Sequence, residues 1–89
     1  MRTRKGFVLR PLGNEYILMA EGLEAEGFDA MISMNESAAF LWKAVDGKDF
    51  DNEVLIRLLT EEYGINREVA EKDVATMLQR WKEMQILED

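Results

Sequence analysis

The chain has no cysteine and no histidine, and one proline in 89 residues. Without cysteine there is no disulfide framework and no thiolate chemistry. Without histidine it lacks the usual general base, the commonest metal ligand and the usual triad partner. No stretch approaches the roughly 20 apolar residues of a membrane span. "MRTRKGFVLRPLG" starts basic but holds only three consecutive apolar residues before Arg10, so it is not a signal peptide. Neither GxxxxGK[ST] nor GxGxxG occurs, which removes the backbone cradles of nucleotide hydrolysis and dinucleotide redox chemistry. These absences point to a cytoplasmic binding or adaptor module. No catalytic residue, no metal ligand and no cofactor is expected.

What is present describes one small globular domain, residues 1–89. Apolar residues make up 47% and charged residues 33%, too apolar for a disordered chain. A chain of this length buries only about 60–65% of its unfolded surface, so the core is modest. The net charge is −7, and it is unevenly placed. Arg2, Arg4, Lys5 and Arg10 sit in the first ten residues, and all eighteen acids lie beyond them. The basic cluster reads as a solvated end.

The first third has the pattern of strands. "FVLRP" (7–11) ends at Pro11, which suits a strand edge. The turn signal Gly13-Asn14 follows, then "EYILMA" (15–20). A third strand over 28–34 alternates, with Phe28, Ala30, Ile32 and Met34 on one face and Asp29, Met31 and Ser33 on the other. The period then changes at Asn35, a good helix N-cap. A helix over 36–46 carries Phe40, Leu41, Ala44 and Val45 and stops at Gly47. A second runs over 52–63, with Asp51 or Asp49 as its cap, and ends at Gly64. Asp51 would set Phe50 and Leu55 as a hydrophobic staple. A third, capped by Asn66, runs over 67–84 with Ala70, Val74, Leu78 and Trp81 inward. Ile86 and Leu87 are expected to fold back onto the core. The fold class is α+β and winged-helix-like: a three-stranded antiparallel sheet followed by three helices.

Little in this pattern carries chemistry. Glu24–Glu26, Asp49–Asp51 and Glu61–Glu62 read as solvated carboxylates, and "DGKDFDNE" (46–53) lacks the spacing of a calcium loop. Trp42 and Trp81 read as core residues, and the methionines chiefly as gap-fillers; Met31 differs in lying opposite the core stripe. A winged-helix DNA-binding or transcription-accessory protein is the alternative reading. It would need a basic recognition helix, whereas residues 67–84 hold four basic and four acidic side chains.

The words "MNESAAFLW…DG" resemble the Leu-Asn-x-Thr-Gly-Ala-x-x-Trp…Gly pattern of the pyrroloquinoline quinone biosynthesis protein D family. Met34, Asn35, Ser37, Ala38, Trp42 and Gly47 stand at the pattern's positions. "LLTEEYGI" and "DVATMLQRW" are similar to later segments of the family. Methionine for leucine, serine for threonine and alanine for glycine are departures the fold tolerates. The resemblance implies a non-catalytic RiPP recognition element, RiPP being a ribosomally made, post-translationally modified peptide. Such a domain binds the leader of a precursor peptide and presents it to a modifying enzyme, a radical S-adenosylmethionine protein in the quinone pathway. The leader adds as a strand to the open edge of the third strand and lies against the third helix.

On this chain the implied peptide-binding residues are Asp29, Ala30, Met31, Ile32, Ser33 and Met34 of the strand. On the helix they are Asp73, Met77, Arg80 and Met84, three or four residues apart and so on one side, together with Trp81 of the adjoining inner face. The expected partners are the leader and its modifying enzyme, with no nucleic acid and no membrane. An open edge also allows either a monomer or a strand-edge or domain-swapped homodimer.

Overall fold

The computed structural model describes residues 1–21 and 31–88. Arg2–Thr3 (β1), Phe7–Leu12 (β2), Glu15–Ala20 (β3) and Met31–Met34 (β4) precede three helices, Glu36–Val45 (α1), Asn52–Tyr63 (α2) and Arg67–Glu83 (α3); Leu87–Glu88 (β5) follows. Three strands form an antiparallel sheet in the order β2-β3-β4. The class is therefore α+β, with the sheet ahead of the helices. Phe28, Asp29 and Ala30 of the expected third strand, and the Glu24–Glu26 pair, lie outside the described residues.

Side-chain alternation sets the layers. On β4, Ile32 and Met34 are buried, while Met31 and Ser33 are exposed. Phe7 and Leu18 face the same way as Ile32 and meet the inner sides of the helices. Trp42 from α1 packs edge-on against Trp81 from α3, ring centroids 5.3 Å apart. Leu55 and Leu59 of α2 and Val74 and Leu78 of α3 complete the core.

Each helix begins at an extended residue whose side chain accepts a first-turn N–H: Asn35 from Ala38, Asp51 from Val54 and Asn66 from Val69. The structure thus selects Asp51 over Asp49 as the α2 cap, and buries both Phe50 and Leu55. Helix α1 ends at Val45, a residue earlier than the spacing suggests. Asp46 is the cap and donates its N–H to Trp42 O, and Gly47 turns left-handed behind it at φ 78°. Gly64 caps α2 in the same left-handed region, at φ 66°. Helices α2 and α3 are also joined by Arg67, whose Nη1 donates to Glu53 Oε2 at 2.8 Å. That bond holds the Glu53 carboxyl below its ordinary range and raises the Arg67 guanidinium.

The basic N-terminal end is not simply solvated. Strands β1 and β5 pair antiparallel, Arg2 opposite Glu88 and Thr3 opposite Leu87. Arg2 Nε lies 3.2 Å from Asp49 Oδ1, and Thr3 Oγ1 donates to Asp46 Oδ1 at 2.8 Å. Thr3 is buried, and Gly47 N–H donates to its hydroxyl. The carboxylates after α1 thereby anchor the first residues. Ile86 does fold back and is fully buried, behind a turn at Gln85 with φ 62°.

The junction between β4 and α1 has no loop. Asn35 closes it, with Oδ1 accepting from Ala38 N at 2.9 Å and from Ser37 Oγ at 3.1 Å. Asn35→Ala leaves the first turn without this acceptor. The expected loss is about 1 kcal/mol, a fall in melting temperature of about 4–8 °C. Thermal melts followed by circular dichroism measure it, and an unchanged midpoint would mean the cap does not hold the junction.

Candidate functional site

Strand β4 is an edge of the sheet, and no described residue pairs with its outer side. Which of its backbone groups face out follows from the ladder. In an antiparallel pair, each residue turns its N–H and C=O to one side, and the side alternates along the strand. Glu21 N–H donates to Gly6 O at 2.6 Å, one step beyond the Phe7–Ala20 pair. The bonded pairs between β2 and β3 are therefore those of Val8, Arg10 and Leu12. Pro11, which has no N–H to give, falls in the intervening set. Tyr16 and Leu18 then turn their backbone groups toward β4, where their partners are Met34 and Ile32. Met31 and Ser33 are left with N–H and C=O pointing away from the sheet.

Beside that edge lies a groove of about 320 Å³. Its sheet side is Ile32, Ser33 and Met34, and its opposite wall is α3, with Asp73, Thr76, Met77, Arg80, Trp81 and Met84. Met84 is the cap of that helix, which ends at Glu83, one residue short of the expected end. The start of α1 closes one part through Asn35, Ser37 and Ala38; Leu41 and Leu59 lie deeper. Trp81 is buried and belongs to both core and groove, while Met77 and Met84 are half-buried. Asp73 and Arg80 are exposed, and neither forms an ion pair with a described residue. Among the described residues no group of three His, Cys, Asp or Glu could hold a metal ion, and no helix is long and apolar enough to cross a membrane.

The residues singled out from the sequence divide three ways. Ile32, Ser33, Met34, Asp73, Met77, Arg80, Trp81 and Met84 come together around the groove. Met31 does not line it: its side chain lies on the other face of the sheet, and only its backbone belongs to the same edge. Asp29 and Ala30 lie outside the described residues. Thr76, Ser37 and Ala38 were missed. Thr76 had a signal, since it stands three residues after Asp73 and four before Arg80 on the same side of α3. Ser37 and Ala38 stood in the family pattern, but only the packing of α1 across the end of β4 brings them to the groove.

A small winged-helix-like α+β domain, with a strand edge, unpaired by any described residue, beside a helix-lined groove, is what this fold and site define. The family model for "Coenzyme PQQ synthesis protein D (PqqD)" matches residues 15–87. The chain belongs to that family. Its fold is also similar to that of a solved structure described as "TbiB1 in Complex with the TbiA(beta) Leader Peptide", with a TM-score of 0.77 at 16% sequence identity. That likeness covers 99% of this chain and 95% of the other. No curated protein matches the chain.

Proposed function

We propose that this protein is a non-catalytic cytoplasmic adaptor. It binds the leader of a ribosomally made precursor peptide as an added strand on β4, and presents the peptide to a modifying enzyme of the radical S-adenosylmethionine class. The observation that carries the reading is the edge of β4, unpaired by any described residue at Met31 and Ser33, set against a groove that mixes apolar side chains (Met77, Met84) with polar ones (Asp73, Thr76, Arg80). Strand addition satisfies those backbone groups whatever the peptide's sequence, and the groove supplies side-chain selection. Membership of the PqqD family supports it, as does the likeness in fold to TbiB1, a protein solved in complex with a leader peptide.

The groove's chemistry suggests how a leader is held. Met77 and Met84 offer adaptable apolar contact, at about 1–2 kcal/mol for each well-buried apolar side chain they receive. Arg80 pairs with a leader carboxylate, worth about 1 kcal/mol or less at an exposed position. Because Asn35 couples β4 rigidly to α1, the groove is already shaped, and the peptide bears most of the ordering cost.

An NMR titration with synthetic N-terminal segments of candidate precursor peptides, drawn from short reading frames near this chain's gene, tests the reading. Amide shifts should concentrate in residues 31–35 and 73–84. Shifts confined to Arg2–Arg10 or to α2 would overturn the placement.

A further inference from the structure

The helices cover only one face of the sheet. On the other face Val8, Met19 and Met31 form a row across three strands, since Val8 is opposite Met19 and Met19 opposite Met31. Next to it runs a second row, Arg10, Ile17 and Ser33. Met31 is 64% exposed at the open edge, and Val8 and Met19 are half-buried beside it. A long apolar side chain on a free strand edge is an aggregation hazard that sheets usually avoid.

Strand addition dictates what would cover it. A peptide on β4 must alternate its side chains between the two faces. The peptide residue that exchanges backbone bonds with Met31 places its side chain on Met31's face, its Cα about 5.5 Å away. Its two neighbours in the peptide face the other way, into the groove beside Met77. The outer face thus gains a fourth member in each row as soon as the groove is filled.

We propose that the row Val8–Met19–Met31 is a second specificity subsite. It takes an apolar side chain of the leader, one residue out of phase with the side chains that enter the groove. The leader position opposite Ser33 meets a hydroxyl, with Ile17 behind it and the Arg10–Glu21 pair beyond, and tolerates polar residues. This rests on the strand-addition reading, and it adds a requirement the groove alone does not make: leader selection on both faces of the added strand.

Double-mutant cycles test it. The probes are fluorescein-labelled synthetic N-terminal segments of candidate precursor peptides, drawn from short reading frames near this chain's gene, with binding followed by anisotropy. Met31→Ala should weaken binding about two- to fivefold, the range of a cross-strand apolar pair. Met31→Thr, which keeps strand propensity, is a second variant, and circular dichroism checks that both remain folded. Alanine substitutions along the leader are then combined with Met31→Ala and with Met77→Ala. One leader position should couple to Met31 and another to Met77, an odd number of residues apart. Coupling to Met77 alone, or to both at an even separation, overturns the outer subsite and leaves the groove reading standing. No coupling to either residue, or no binding at all, overturns the strand-addition reading and the subsite with it.

Discussion

Ser33→Pro should abolish most leader binding while leaving the domain folded, whereas Ile32→Pro should destabilise the fold itself. The difference lies in where each N–H points. Ser33 directs its N–H out of the sheet, and its side chain is exposed. Proline there removes a donor that only an added strand uses. Losing that bond, with the peptide carbonyl left unpaired, costs about 1–3 kcal/mol, or about five- to 150-fold in affinity. Ile32 directs its N–H at Leu18 of β3, and its side chain is in the core. Proline there loses a ladder bond and a packed isoleucine together, about 3 kcal/mol or more. Circular dichroism melts and leader titrations on both variants decide the matter. A Ser33→Pro protein that is folded and binds at full affinity would show that the β4 edge is not the docking edge.

Trp42→Ala should cost about 3–5 kcal/mol, the range for emptying a large aromatic site. That is a substantial part of the 5–15 kcal/mol that holds a typical domain together. Trp42 is 1% exposed, and its ring stands edge-on to Trp81 at an interplanar angle of 83°. Its indole Nε1 is buried and finds no acceptor among the described residues. An unpaired buried donor is itself a cost of about 1–3 kcal/mol. Trp42→Phe removes that donor along with some packed area, so the two effects oppose, and the net change should stay within about 1.5 kcal/mol. Urea denaturation of the two variants measures the contrast. Equal losses in both would mean that the bulk at this position does not support the core. The consequence reaches the groove, because Trp42 backs Trp81, which lines it.

The α3 wall was legible in the sequence because a helix places residues three and four apart on one side. Asp73, Met77, Arg80 and Met84 needed that rule and the family resemblance, which pointed to the third helix. The facing of β4 was legible for a similar reason: alternation separates Ile32 and Met34 from Met31 and Ser33. The short ribbon of β1 and β5 was not. A two-residue strand has no period to detect, and Arg2 meets Glu88 across nearly the whole chain. The same holds for Asp46, expected as the last residue of the first helix, and Asp49, read as a solvated carboxylate or a cap; they hold Thr3 and Arg2.

By itself the sequence determined the helices, their caps at Asn35 and Asn66, the inward stripe of each element and the family. All of these rest on spacing within one segment or on a contiguous motif. Tertiary structure alone chose Asp51 over Asp49, brought Ser37 and Ala38 to the end of the groove, and turned the backbone of Met31 and Ser33 outward. Those features depend on pairing and packing between distant segments. Side-chain alternation along β4 says which face a residue takes, but only the ladder with β3 says which way its N–H points.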